Sequence, residues 1–122
     1  MNKKSELGKI GEDIASEFLK KRGFKIIERN NWEKWGELDI VAKAKDKTLI
    51  LVEVKTMREG SLKPEDQMSG GKMERFMRAA EVYANAHPEH IDEKKGWRLD
   101  AIMIVISDSE SPKITHYENI IR

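Results

Sequence analysis

The residues best equipped for chemistry lie between Gly36 and Lys55, in the stretch G-E-L-D-I-V-A-K-A-K-D-K-T-L-I-L-V-E-V-K. Asp39, Glu53 and Lys55 stand at the ends of two apolar runs. Glu37–Lys43 reads as a strand, Ala44–Thr48 as a polar turn and Leu49–Lys55 as a second strand. With the turn centred on Asp46, antiparallel register sets Lys43 opposite Leu49, Val41 opposite Leu51, Asp39 opposite Glu53 and Glu37 opposite Lys55. Residues two apart share a face, so all of these are expected on one side of the hairpin. Opposed side chains have Cβ atoms about 4.5–5.5 Å apart, so Asp39 and Glu53 repel unless something positive lies between them. Mg²⁺ takes oxygen ligands, often one or two carboxylates with waters and a substrate phosphate. Lys55 supplies a point charge for a phosphate or an attacking water. The competing reading is ordinary alternation of charged and apolar residues along a half-exposed strand, which Glu-x-Lys alone does not exclude.

The strand Leu49–Lys55 is apolar on both faces, as in a sheet covered on both sides. Helices are therefore expected to sandwich it. Ser5 can cap a helix running to about Arg22, stopped by Gly23, with Leu7, Ile10, Ile14, Phe18 and Leu19 as its apolar stripe. Gly8 and Gly11 beside that stripe suggest close approach to a neighbouring backbone, since glycine otherwise weakens a helix. Glu12 falls at the stripe's edge, where it is either a boundary glutamate or an acid looking into a cleft. Phe24–Asn30 reads as the first strand and Asn31–Trp35 as a loop whose tryptophans cover the end of the core or stack on bases. Thr56–Gly71 has no clear periodicity and leaves the acidic site directly. Arg58 and Lys63 there could meet phosphates. Lys72–Ala86 is a second amphipathic helix, with Ser69 as candidate cap and Lys72 near an N-terminus that favours anions. His87-Pro-Glu-His90 is read as a polar loop rather than a zinc site, because proline breaks the helix and no further ligand follows at suitable spacing. Arg98–Ser107 is a further apolar strand, with Asp100 as an ion-pair or capping residue, and Lys113–Asn119 is a short edge strand.

An Asp, a gap and then Glu-x-Lys at the end of an apolar strand resembles the PD-(D/E)xK nuclease superfamily. The fuller string is G-x-x-G-E at Gly8–Glu12, R-N at Arg29–Asn30, G-E-L-D-I-V-A, L-V-E-V-K-T, Lys72 and R-L-D at Arg98–Asp100. In that order it resembles the YraN-like family of uncharacterised bacterial proteins over most of the chain, and is also similar to archaeal Holliday-junction resolvases, which carry an acid on the first helix. The resemblance implies a restriction-endonuclease-like α/β fold, with an αβββαβ core, a mixed central sheet flanked by helices and an extra C-terminal edge strand. It implies Mg²⁺ or Mn²⁺ held by Asp39, Glu53 and the Val54 carbonyl. Lys55 then acts on the attacking water, Glu12 adds a ligand, Lys72 contacts substrate and Glu37 supports Lys55. The family pattern usually has basic residues where this chain has Glu33, which weakens a DNA-contact role for that loop.

Bulk properties narrow the alternatives. At 122 residues the chain is expected to form a single domain. A net charge of +1 means that any nucleic-acid surface must be a local patch. Cysteine is absent, which excludes disulfides and thiolate zinc sites and fits a cytoplasmic location. No apolar run approaches the roughly 20 residues of a membrane span. The expected function is metal-dependent cleavage of nucleic acid, DNA favoured, with a homodimer doubling the contact surface. The alternative is a non-catalytic nucleic-acid-binding module in a repair, recombination or uptake assembly.

Overall fold

In the computed structural model, which describes residues 5–33, 36–60 and 70–120, elements follow one another as α1 (Glu6–Lys21), β1 (Lys25–Glu33), β2 (Gly36–Lys43), β3 (Leu49–Arg58), α2 (Gly70–Ala86), a 3₁₀ turn (Pro88–His90), β4 (Trp97–Ile106) and β5 (Lys113–Tyr117). The strands form one mixed sheet in sequential order. All neighbours are antiparallel except β3 and β4, whose parallel register runs from Leu49↔Trp97 to Arg58↔Ile106. Parallel neighbours need a crossover, and α2 lies in that connection. This is the expected αβββαβ order with an added edge strand.

Two apolar layers cover the sheet. On one face Ala15 and Leu19 of α1 pack with Ile40, Ala42, Ile50, Val52, Ile102 and Ile104. On the other, Phe76, Ala79, Ala80 and Tyr83 of α2 pack with Val41, Leu49, Leu51 and Leu99. The alternation along β3 feeds both layers, which is why that strand is apolar throughout. Among the described residues, no helix is long and apolar enough to cross a membrane.

Ser5 caps α1, its Oγ accepting the Gly8 N–H at 3.0 Å. The stripe that spacing suggests holds in part: Leu19 is buried and Ile14 and Phe18 pack against the α1-side core, but the buried line is shifted toward smaller residues. Gly11, Ala15 and Leu19 are buried, whereas Ile10 is 43% exposed. Small residues let α1 sit directly on β3. A Cβ at Gly11 would overlap the Thr56 side chain, with Thr56 Cβ at 2.7 Å.

Three other expectations are corrected. The first strand continues through Asn31 and Trp32 to Glu33, pairing Trp32 with Glu37, so this is no loop. Trp32 is 47% exposed and does not cover the core; Trp35 lies outside the described residues. β3 continues past Lys55 to Arg58 because β4 keeps offering it a parallel partner. The candidate cap Ser69 and the candidate phosphate contact Lys63 also lie outside the described residues.

Candidate active site

The β2–β3 hairpin sets the site. Its turn is closed by Lys47 N–H donating to the Ala44 carbonyl at 2.9 Å, with Asp46 Oδ1 accepting from Thr48 N–H at 2.9 Å and Thr48 Oγ at 2.7 Å. Lys47 takes a positive φ of 81° to allow it. The ladder then pairs Lys43↔Leu49, Ala42↔Ile50, Val41↔Leu51 and Ile40↔Val52, in the register expected, and stops there. One step further along, the Val54 N–H donates to Asp39 Oδ2 at 2.7 Å, a side chain taking the place of a backbone acceptor.

The strand changes face at this point. Leu38 joins the α2-side core and Ile40 the α1-side core, although residues two apart normally share a face. The expectation that Glu37, Asp39, Val41 and Glu53 line one side therefore fails: Val41 packs toward α2, while Asp39 and Glu37 meet Glu12 of α1. Carboxylate oxygens of Glu12, Glu37 and Asp39 lie within 4.8 Å of one another. Glu12 is 1% exposed and Asp39 5%.

Glu53 of β3 meets Asp39 but is not one of that trio. Burial, then the negative charge of Asp39, push its carboxyl up to about 7, against the opposing pull of Lys55. Lys55 Nζ lies 3.3 Å from Glu53 Oε2. Next in line is Lys72 in the first turn of α2. Contact with the like-charged Lys55 ammonium is the main cause of a lowered Lys72 pKa, with burial adding to it and Glu53 opposing. Asp39, Glu53, Lys55 and Lys72 thus form a row in which carboxylates lead to ammonium groups at the start of a helix. Such a row can hold a hard cation at its acidic end and a phosphate at its basic end.

The remaining expected residues divide. Val54 lies between Glu53 and Lys55 with its N–H fixed on Asp39. Arg58 stands exposed at the end of β3, opposite Ile106 and, at about 3.3 Å per residue, roughly 10 Å along the strand from Lys55. The structure does not bring it to the row.

Arg29 was given no role from the sequence. From β1 it reaches Glu12 Oε1 at 3.4 Å and Asp13 Oδ1 at 2.9 Å, and so supplies positive charge beside the acidic group. Its only signal was its place in the R-N string. Asp100 is separate and fully buried. It accepts from Arg98 Nε at 3.0 Å and the Asn119 N–H at 2.9 Å, and lies 2.8 Å from His116 Nε2. Burial alone would raise its pKa, but the contacts to His116, Arg98 and Asn119 outweigh that and hold it below the ordinary value. It ties β4 to β5.

Comparison with known proteins gives a consistent result. Residues 11–104 match the profile described as "Uncharacterised protein family UPF0102". A UPF0102 protein of Syntrophomonas wolfei is 37% identical over 115 residues, covering 93% of this chain and 96% of its own. Those of Flavobacterium johnsoniae and Dictyoglomus turgidum are 38% identical over 119 residues and 41% over 108, covering 95% and 88% of this chain and 94% and 87% of theirs. Glu12, Asp39, Glu53, Lys55 and Lys72 all fall within the matched span, and the chain belongs to the UPF0102 family.

Proposed function

We propose that this protein is a metal-dependent nuclease that hydrolyses phosphodiester bonds of DNA in the cytoplasm, with branched or structured DNA as its substrate class. The observation that carries this reading is the crowding of buried Asp39 against a half-buried Glu53 whose carboxyl is pushed up to about 7, with Lys55 3.3 Å from it. Forcing carboxylates together inside a protein is costly, and a cation among them offsets that cost. The donors are all oxygen, which suits Mg²⁺ or Mn²⁺. The PD-(D/E)xK resemblance of Asp39, Glu53 and Lys55 points the same way.

In this reading Asp39, Glu53 and the Val54 carbonyl hold the ion, and Glu12 adds a contact through water. A bound divalent ion supplies Lewis acidity and lowers the pKa of its water. Lys55 orients the attacking water and faces the charge that develops on the phosphoryl oxygens. Lys72 holds a substrate phosphate, and Arg58 and Lys63 contact the flanking backbone. Glu37 and Arg29 set the charge balance around Glu12 and Asp39. A homodimer doubles the DNA-contacting surface of a small chain with little net charge.

The test is a panel of single-stranded, duplex, flapped and four-way DNA incubated with Mg²⁺, Mn²⁺ or EDTA. Metal-dependent cleavage supports the proposal. Binding of branched DNA without cleavage under any condition replaces it with a non-catalytic binding module, and neither binding nor cleavage removes nucleic acid as the ligand.

A further inference from the structure

A second group of metal-ligating side chains lies at the far end of α2. Proline ends the helix as expected, but the 3₁₀ turn that follows folds His87, Glu89 and His90 back on one another. Their ligand atoms all lie within 4.8 Å of each other. His87 Nδ1 is 3.0 Å from Glu89 Oε2, and His90 Nε2 is 3.8 Å from the same oxygen. The second distance is too long for a hydrogen bond. Tetrahedral zinc with bonds near 2.0–2.1 Å separates its ligand atoms by roughly 3.3 Å, and the two measured separations bracket that value.

The donors are already organised. Pro88 opens the turn, the His87 N–H donates to the Tyr83 carbonyl at 3.0 Å and the His90 N–H to the His87 carbonyl at 3.0 Å. The His87 ring lies against the buried Tyr83 ring, centroids 4.3 Å apart, and the His90 ring lies 5.5 Å from that of His87. Tyr83 is itself anchored, its hydroxyl donating to Glu28 Oε2 of β1 at 2.6 Å. Imidazole nitrogens and a carboxylate are a donor set for Zn²⁺ and similar borderline divalent ions, not for Mg²⁺. The chain's third histidine, His116, is committed to Asp100.

We propose that His87, Glu89 and His90 form a zinc-binding site, with the fourth position open to water. It is separate from the acidic row. His87, just past the end of α2, stands fifteen steps along the chain from Lys72, about 22 Å at 1.5 Å per residue. The site does not depend on nuclease activity.

The experiment is calorimetric titration of Zn²⁺ into the full chain carrying Asp39→Ala and Glu53→Gln, so that the acidic row no longer competes. One equivalent is expected to bind, with affinity falling at least tenfold on adding His87→Phe or His90→Phe. Phenylalanine keeps the ring contacts with Tyr83, and unchanged melting of these variants without metal separates lost ligation from lost folding. Co²⁺ in place of Zn²⁺ should give the visible absorption of a tetrahedral ion, and both phenylalanine variants should abolish it. No Zn²⁺ binding by the Asp39→Ala, Glu53→Gln chain, or binding that survives both phenylalanine substitutions, overturns the proposal.

Discussion

The Val54 N–H and Asp39 Oδ2 are joined at 2.7 Å just where the backbone ladder between β2 and β3 ends at Ile40↔Val52. That bond fixes the Asp39 carboxylate on the strand that carries Glu53 and Lys55. The site's geometry is thereby built into the hairpin.

Glu53 gives the protein a pH-dependent stability. Its carboxyl titrates near 7 in the folded chain against an ordinary value of 4.5. A raised carboxylate pKa means that the folded state binds the proton more tightly. The penalty is absent below 4.5, grows as pH rises and is complete above 7, at about 3 kcal/mol. In EDTA, urea melts should show Glu53→Gln more stable than wild type by up to about this amount at pH 8 and close to it at pH 4. Mg²⁺ should narrow the gap by stabilising wild type alone. A difference independent of pH would mean that neither burial nor Asp39 strains the Glu53 carboxylate.

Gly11 is expected to admit no side chain. Gly11→Ala drives a Cβ into Thr56 and should cost about 1–3 kcal/mol, the range for overpacked cores. It also displaces Glu12, the next residue. Adding Thr56→Gly opens the space, so a double-mutant cycle in denaturant should show a favourable coupling of at least about 0.5 kcal/mol. Simple additivity would place the contact elsewhere.

Asp100 should matter for stability and not for chemistry. Asp100→Ala leaves Arg98 and His116 without their shared acceptor and should cost about 3 kcal/mol. Because its pKa is depressed, its contribution is present above the unfolded value of 3.8 and is lost as pH falls through the lower folded value. Metal-dependent activity of the folded fraction should be unchanged.

Lys72 should act on substrate affinity. Lys72→Ala is expected to weaken DNA binding evenly across sequences and to lower the salt slope by about 1, as for one lost phosphate contact. Arg58→Ala, at the strand's far end, should do less. Equal effects, read from fluorescence anisotropy at several salt concentrations, would shift the DNA path toward Arg58.

Much of this was legible in the sequence because periodicity is local information. The apolar run at Leu49–Val54 and the polar turn around Asp46 were enough to set the register of Val41 against Leu51. What escaped depended on neighbours distant in sequence. Leu38 and Ile40 look like residues of one face, yet they join different cores, and no pattern within the strand records the switch at Asp39. Trp32 looks like loop because its polar neighbours hide a strand whose pairing partners, Gly36, Glu37 and Leu38, lie on β2. The stripe of α1 placed Ile14, Phe18 and Leu19 on the core side but not Ile10, because helix–sheet distance, set by Gly11 and Ala15, decides which residues are buried. In the sequence His87 and His90 look like ordinary loop histidines, because a proline breaks the helix and no further ligand follows at suitable spacing, whereas the turn that Pro88 opens brings them together with Glu89.

In the proposed reaction Asp39 and Glu53 would hold one divalent ion and Lys55 would act on the attacking water. The most direct measurement is single-turnover cleavage of four-way and flapped DNA by wild type, Asp39→Asn, Glu53→Gln and Lys55→Ala, purified identically, with Mn²⁺ affinity measured on the same samples. Asp39→Asn and Glu53→Gln are expected to lose Mn²⁺ binding and cleavage together, while Lys55→Ala keeps Mn²⁺ and DNA but loses at least about a hundredfold in rate, within the usual range for a positioned proton-transfer or charge-stabilising group. Cleavage by Lys55→Ala at the wild-type rate, or no cleavage by wild type, would contradict the proposed reaction.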